Sequence, residues 1–321
     1  MKIAVLGAGA VGLCVAAKLS KVCDVYAVTR KRHTDIINNT GFVMTGIWGN
    51  ETVVFPCSES LPAGERYDYI IITSKSTDTR AICEQFKDYL KDTPVVSLQN
   101  GIGNEEIISE YTETVLGGMI ITGFEWVKDA SVLVSVEAAP IKIGVYPEGV
   151  SDASAKLVEI FSKAGMNTLS ESNIAGGVWG KALYNAALNP LSAILGIKYG
   201  ELFDANTWSI IEDIVKEAFA VCEKEGVRLE WKTPEEYLKH LHSHQLPATQ
   251  EHYSSMYQDL AIRKRTEIDF INGSIVELAK KHGIPAPVNE VIVRLIKFRE
   301  NQNAAQGAGA PHVAADKKQA R

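Results

Sequence analysis

The chain has 321 residues, 46% of them hydrophobic and 22% charged, with a formal net charge of −6 at pH 7. At roughly 100–200 residues per domain, that is enough for two packed domains. An acidic balance with no basic block argues against nucleic-acid binding, and the absence of a run of about 18 apolar residues argues against a membrane span.

Residues 3–6 are a short apolar run closed by Gly7, and a helical pattern follows through Val11, Val15, Ala16 and Leu19. Residues 24–28 read as a second strand. Further strands are predicted over 69–73, 94–98, 115–121 and 141–145, with helices over 77–90 and 153–164. Short continuous apolar strands alternating with helices indicate a parallel sheet covered on both faces. Residues 1–170 therefore read as a Rossmann-type, doubly wound α/β domain. From Ile174 onward nearly every segment has helical periodicity, as in Val178, Ala182, Leu183 and Ala186, or Ile268, Ile271, Ile275 and Leu278, the latter ended by Gly283 and Pro285. Residues 171–302 form an all-helical domain on this reading, with the boundary in the polar stretch 168–173. Residues 303–321 are small, polar and aperiodic, and read as a disordered tail.

The cysteines, Cys14, Cys23, Cys57, Cys83 and Cys222, form no CxxC pair and are odd in number. They read as reduced thiols of an intracellular, cytoplasmic protein. Met1-Lys2 leads straight into a strand, with no signal-peptide pattern before it.

The first chemical motif is Gly7-Ala8-Gly9-Ala10-Val11-Gly12, placed after a strand and opening a helix. In that context it binds the pyrophosphate of a dinucleotide. Gly7 permits the tight turn, Gly9 lets the backbone approach the phosphates, and Gly12 lets the helix lie on the sheet. The second strand selects the cofactor. NAD-specific units usually end it in a carboxylate that bonds the ribose 2′-hydroxyl. Here Arg30, Lys31 and Arg32 stand there instead. An arginine fork suits a 2′-phosphate, which points to NADP(H).

Beyond this motif the chain resembles the ketopantoate reductase (2-dehydropantoate 2-reductase) family, within the 6-phosphogluconate dehydrogenase-like superfamily. The resemblance rests on the glycine motif and on Thr73-Ser74-Lys75, Leu98-Gln99-Asn100-Gly101-Ile102-Gly103, and Trp179-Gly180-Lys181 through Asn185 to Asn189-Pro190-Leu191. It rests also on Ser254-Ser255-Met256-Tyr257-Gln258-Asp259 with Arg265-Thr266-Glu267-Ile268-Asp269 and Ile271-Asn272-Gly273. The family implies an oxidoreductase with a Rossmann domain, a helical domain and a cleft between them. It implies NADPH-dependent reduction of ketopantoate to pantoate, a small-molecule 2-oxo acid reduction on the way to pantothenate and coenzyme A. Helical C-terminal domains often dimerise, so a homodimer is possible, although no interface can be read from the sequence.

Hydride attack on a ketone leaves negative charge on oxygen, which needs stabilisation and a proton. The resemblance makes Lys181 the general acid. Asn185 lies one helical turn on, on the same face, and can hold the substrate or orient the ammonium. Asn189 is a further turn on and precedes Pro190, which disfavours helix at the residue before it; a kink is expected there. Glu267 is the second catalytic candidate by resemblance, contacting substrate or cofactor, and Ser255 would hold the substrate. A straight helix would separate Ser255 and Glu267 by about 18 Å, so a break is predicted between Met256 and Thr266. Lys75 and Asn100 follow strands and so lie at the carboxyl edge of the sheet; by resemblance they contact the nicotinamide end of the cofactor and the substrate.

Family members commonly carry asparagine at two further substrate-contacting positions, which here hold Tyr199 and His252. A different 2-oxo acid is the first alternative. A non-catalytic NADP(H) sensor is the second, opposed by the joint presence of Lys181, Asn185 and Glu267. His240, His242 and His244 do not share one helix face, and are read as structural or surface residues, with no metal. The cofactor assignment carries its own test: Arg30→Glu reverses the ratio of KM for NADPH to KM for NADH, and an unchanged ratio refutes it.

Overall fold

A computed structural model of the chain describes residues 1–307. Contacts divide it into two compact units, Met1–Ala182 with Glu225–Glu230, and Leu183–Lys224 with the described chain from Trp231 onward.

The first unit begins with strand β1 (Lys2–Leu6), helix α1 (Ala10–Leu19), β2 (Asp24–Val28) and α2 (Lys31–Thr40). Three short strands follow, β3 (Phe42–Gly46), β4 (Glu51–Val53) and β5 (Cys57–Ser58), and then β6 (Tyr69–Ile72). Next come α3 (Thr79–Gln85), α4 (Lys87–Leu90), β7 (Val95–Ser97), α5 (Asn104–Ser109), β8 (Val115–Lys128), β9 (Ser131–Val145), α6 (Asp152–Lys163) and β10 (Thr168–Ser170). The strands form one sheet in the order β4-β3-β9-β8-β7-β6-β1-β2-β5, with β10 on β9. Successive side chains of a strand point to opposite faces, and β1 shows both faces buried: Ile3 and Val5 enter one core, Ala4 and Leu6 the other. That is why the central strands read as unbroken apolar runs rather than as alternation.

The sheet is Rossmann-type and parallel from β5 to β8, but mixed beyond. β8 and β9 form a long antiparallel hairpin with several register shifts, turned at Ala130 with φ 54°. The predicted strands over 115–121 and 141–145 are only its inner ends. The predicted helix over 77–90 is a 3-10 turn, Ser76–Asp78, followed by α3 and α4, which are interrupted at Phe86.

The sheet ends at β10, and α7 (Ile174–Leu195) follows. The expected boundary near residue 170 marks where the chain leaves the sheet. The contacts nevertheless keep the first turns of α7 with unit one, because Ile174 and Val178 pack against Met119 of β8. Residues Glu225–Glu230 return to the same unit, where the Arg228 carbonyl accepts from Asn173 Nδ2 at 2.7 Å and the Arg228 guanidinium pairs with Glu148.

The second unit adds α8 (Ala205–Lys224), α9 (Pro234–His240), α10 (Leu246–Thr249), α11 (Ser255–Ala261), α12 (Asn272–His282) and α13 (Pro287–Gly307). Its core includes Ile211, Ile214 and Val215 of α8, Ile275 and Ala279 of α12, and Ile292 and Ile296 of α13. α12 stops at Gly283, in the left-handed region at φ 66°, a common helix C-terminus. α13 runs on through residues 303–307, so the expected tail starts as helix; the rest of it lies outside the described residues.

Helix α7 is not interrupted at Pro190. A proline inside a helix removes the hydrogen bond to the carbonyl four residues earlier, here that of Ala186. Asn272 Nδ2 takes the vacant acceptor at 3.1 Å and also donates to Asn289 Oδ1 at 3.0 Å. Asn289 Nδ2 in turn donates to Glu217 Oε2 at 2.7 Å and to the Ile214 carbonyl at 3.2 Å. Asn272→Ala leaves the Ala186 carbonyl and Asn289 Oδ1 buried without this donor. It should lower stability by about 1–3 kcal/mol, read from the urea midpoint at constant m; an unchanged midpoint would show that the gap at Pro190 needs no filling.

Candidate active site

The glycine turn follows β1 as the motif requires. Gly7 has φ +64°, and a Cβ there would stand 2.5 Å from Ser74 Cβ. A Cβ on Gly12 would stand 2.2 Å from Thr73 Oγ1, so only glycine lets α1 lie this close to the end of β6. Gly9 differs: a Cβ there meets no protein atom within 4 Å. The backbone at Gly9 is thus open to close approach, which is what a dinucleotide-binding glycine turn requires. Gly9 caps α1 with no side-chain acceptor, which leaves the first-turn N–H groups of α1, at Ala10 and Val11, to an anion. Ala8 is held at both backbone groups: its N–H donates to the Val28 carbonyl at 2.8 Å, and its carbonyl accepts from Thr29 Oγ1 at 2.6 Å. Thr29 was not singled out from the sequence, yet it ties the phosphate turn to the end of β2.

The three cations at that end are not equivalent. Lys31 Nζ lies 3.4 Å from Asp35 Oδ1, and Arg32 Nε lies 3.5 Å from Asp129 Oδ1. Arg30 is exposed at the cap of α2 and has no acidic partner among the described residues. Of the basic rim, Arg30 alone is without an acidic partner among the described residues.

The turns after β6 and β7 lie beside the glycine turn, because β7, β6 and β1 are adjacent and parallel. They are joined by a buried polar lattice that the sequence motif only hinted at. Gln99 Nε2 donates to the Ser74 carbonyl at 3.0 Å, to Ser74 Oγ at 3.1 Å and to Thr79 Oγ1 at 2.7 Å. The Asn100 carbonyl accepts from Ser76 Oγ and from Asn104 Nδ2 at 2.9 Å. Thr79 Oγ1 donates to Asn104 Oδ1 at 2.8 Å. Gly101 and Gly103 take φ of 88° and 102°, the left-handed conformation that this tight turn demands. Lys75 and Asn100, both half-buried, are thus carried on one cross-linked pair of turns.

On α7, Lys181 is half-buried, and its Nζ donates to the Ile120 carbonyl of β8 at 2.7 Å. Asn185 and Asn189 are buried, so these polar residues do not form a solvated surface. In unit two the Asn189 carbonyl accepts from Ser254 Oγ at 3.1 Å. The same hydroxyl caps α11 by accepting from Tyr257 N at 3.0 Å; it is thus Ser254 that meets Asn189, while Ser255, the first residue of α11, is exposed.

The predicted break after Met256 is present. α11 ends at Ala261, Arg263 takes φ 56°, and Lys264 N donates to the Asp259 carbonyl at 2.8 Å while Arg263 N donates to that of Leu260 at 3.1 Å. This pair of bonds is a Schellman stop. Glu267 follows, half-buried, before a 3-10 turn at Ile268–Phe270. Its neighbour Thr266 is anchored through both N and Oγ1 to Glu300 Oε1, each at 2.7 Å. Of the three histidines, His240 stacks on His244 and leans on Trp231, while His242 meets Phe203 and Trp208 edge-on.

Beneath the turn after β7 lies a carboxyl group that the sequence reading passed over. Glu105, at the start of α5, is buried, and its Oε2 has no hydrogen-bond partner. Burial, reinforced by the charge of Glu106, pushes its acid dissociation up to about 8.

Comparison with known proteins agrees with this layout. Family models described as "Ketopantoate reductase PanE/ApbA" and "Ketopantoate reductase PanE/ApbA C terminal" match residues 3–148 and 173–300. A 2-dehydropantoate 2-reductase of Pyrococcus horikoshii is 38% identical, over 94% of this chain and 98% of its own. Among solved structures, a PanE/ApbA family ketopantoate reductase from Ralstonia eutropha JMP134 superposes with TM-score 0.85 at 30% identity, covering 95% of this chain and 100% of that one. D-mandelate dehydrogenase, solved with NADH and anilino(oxo)acetate, superposes with TM-score 0.84 at 26% identity, covering 95% and 99%. No helix of the described residues is long and apolar enough to cross a membrane.

Glu105 yields a test of its burial. A carboxyl whose folded value is raised stays neutral in the folded chain while the unfolded chain already ionises. Stability is therefore full below the ordinary glutamate range and falls as pH rises towards 8. Glu105→Gln removes the penalty. Thermal or urea unfolding should show the variant gaining on wild type from pH 5 to pH 8, by up to about 1.4 kcal/mol per pH unit. A difference independent of pH would show that Glu105 ionises normally.

Proposed function

The chain belongs to the ketopantoate reductase family, and we propose that it catalyses NADPH-dependent reduction of ketopantoate to pantoate, a step towards pantothenate and coenzyme A. The observation that carries this reading is the line of Lys181, Asn185 and Asn189 on successive turns of α7, with the lysine ammonium aimed by a carbonyl and both asparagines buried. A nicotinamide cofactor supplies a hydride to the carbonyl carbon of a 2-oxo acid. The open face at Gly9 and the free first turn of α1 suit its pyrophosphate, Arg30 suits its 2′-phosphate, and Lys75, Asn100 and Glu267 are assigned to its nicotinamide end or to the substrate.

Lys181 is assigned the proton. As the C=O electron pair moves onto oxygen, the ammonium first stabilises the alkoxide by charge and then protonates it, leaving neutral lysine. The Ile120 carbonyl accepts one ammonium hydrogen, which fixes the direction of the others without neutralising the charge. Asn185, Asn189 and Ser255 hold the acid through their amide and hydroxyl groups, and Glu267 helps to place the reacting groups.

A different 2-oxo acid is the second reading. It is favoured by the likeness to D-mandelate dehydrogenase and by a bulky, buried Tyr199 against Asn189. NADPH oxidation with ketopantoate and a panel of 2-oxo acids decides between them. Lys181→Ala should lower kcat by about 10²–10⁴-fold on whichever substrate is preferred. Tight NADPH binding with no turnover on any acid would instead indicate a cofactor sensor.

A further inference from the structure

Tyr199 has no role in the chemistry above, yet it is held against a residue that does. Its ring lies edge-on to Tyr184, with centroids 5.9 Å apart at 80°, and its hydroxyl donates to Asn189 Oδ1 at 2.6 Å. The Tyr184 hydroxyl is itself 2.8 Å from Thr249 Oγ1. Backbone bonds from Tyr199 N to the His252 carbonyl, 3.1 Å, and from Gly200 N to the Gln250 carbonyl, 2.9 Å, pin this turn to the segment leading into α11. That segment supplies Ser254, whose hydroxyl donates to the Asn189 main-chain carbonyl at 3.1 Å.

A carboxamide has an acceptor end and a donor end of nearly the same shape, so its partners set its direction. Burial holds the Tyr199 phenol in its protonated form by pushing its ionisation well above the ordinary tyrosine range. A buried O–H needs an acceptor, and Asn189 Oδ1 is that acceptor. The reverse orientation would strip the phenol hydrogen of its partner. The Asn189 Nδ2 group therefore points away from Tyr199, and its two N–H bonds have no acceptor among the described residues.

Building on the oxo-acid reading, we propose that Tyr199 is a positioning residue, one that occupies Asn189 Oδ1 and so presents Nδ2 as a donor to an anionic or carbonyl oxygen of the substrate. A freely turning asparagine could accept from a substrate hydroxyl as readily as donate to a carboxylate. Locked in this direction, Asn189 reads acceptor oxygens alone, so Tyr199 acts on specificity through a residue it touches rather than through the substrate.

The experiment is a double-mutant cycle on the best 2-oxo acid, with KM and kcat measured for wild type, Tyr199→Phe, Asn189→Ala and the pair. Phenylalanine keeps the ring against Tyr184 and removes only the hydroxyl. Tyr199→Phe should raise KM for the acid about 3–10-fold, with kcat and KM for NADPH essentially unchanged. In the Asn189→Ala background the same change should add nothing, because the residue it acts through is gone. An unchanged KM in Tyr199→Phe, a loss confined to kcat, or effects that multiply in the pair would each overturn the proposal while leaving the reductase reading intact. A wild-type protein that reduces no 2-oxo acid would overturn both. If Tyr199→Phe unfolds early, Asn189→Asp replaces it: the carboxylate still accepts from Tyr199 but has no N–H to offer. KM for the acid should then rise sharply, and a wild-type KM would refute the proposal.

Discussion

A helix that continues through a proline must find another donor for the carbonyl it leaves open, and in α7 that donor is Asn272. The consequence spreads through the second unit. Asn272 also donates to Asn289, Asn289 donates to Glu217 of α8, and Glu217 accepts from the N–H groups of Val288 and Asn289 in the first turn of α13. One missing hydrogen bond thus organises four helices around a buried polar chain. Such a chain stabilises through the members that are paired; Asn272 Oδ1 is buried in it without a hydrogen-bond partner. The same helix carries Asn185 and Asn189 at buried positions, where a polar side chain is costly unless it finds a hydrogen-bond partner.

The first unit solves a different problem. A parallel sheet brings three turns to one edge, and each turn exposes backbone groups. Gln99, Ser74, Ser76, Thr79 and Asn104 satisfy those groups with one another. The lattice ties together the two turns that carry Lys75 and Asn100, and side chains borne on such cross-linked backbone are held more precisely than those on free loops.

The sequence showed most of this where physics is local. The glycine turn, the central strands and the stop after α11 follow from short-range rules: a positive φ, a run of apolar residues, a reach too long for a straight helix. The outer half of the β8–β9 hairpin was missed because a search for continuous apolar runs finds strands buried on both faces, and residues 122–140 leave that pattern. The helix over 77–90 was drawn too long because Phe86 interrupts it without a glycine or proline to signal the break. Lys181, Glu267 and the asparagines were singled out through resemblance to a family, since spacing alone cannot assign a lysine a chemical role. The supporting residues Thr29, Asn104, Ser254 and Asn272 were missed as such because their roles depend on partners distant in sequence. The division of labour among Arg30, Lys31 and Arg32 was hidden for the same reason: Asp129, which engages Arg32, lies at the far end of a hairpin.

The bond from Thr29 to the Ala8 carbonyl separates two duties that sit side by side in the chain. Thr29 anchors the glycine turn, while the next residue, Arg30, is exposed and caps α2 through its carbonyl, which accepts from His33 N and Thr34 N. The side chain that holds the glycine turn and the exposed side chain beside it are thus neighbours in the chain with separate contacts. A substitution at position 30 therefore alters the charge at the end of β2 while the hydrogen bond that anchors the glycine turn stays in place.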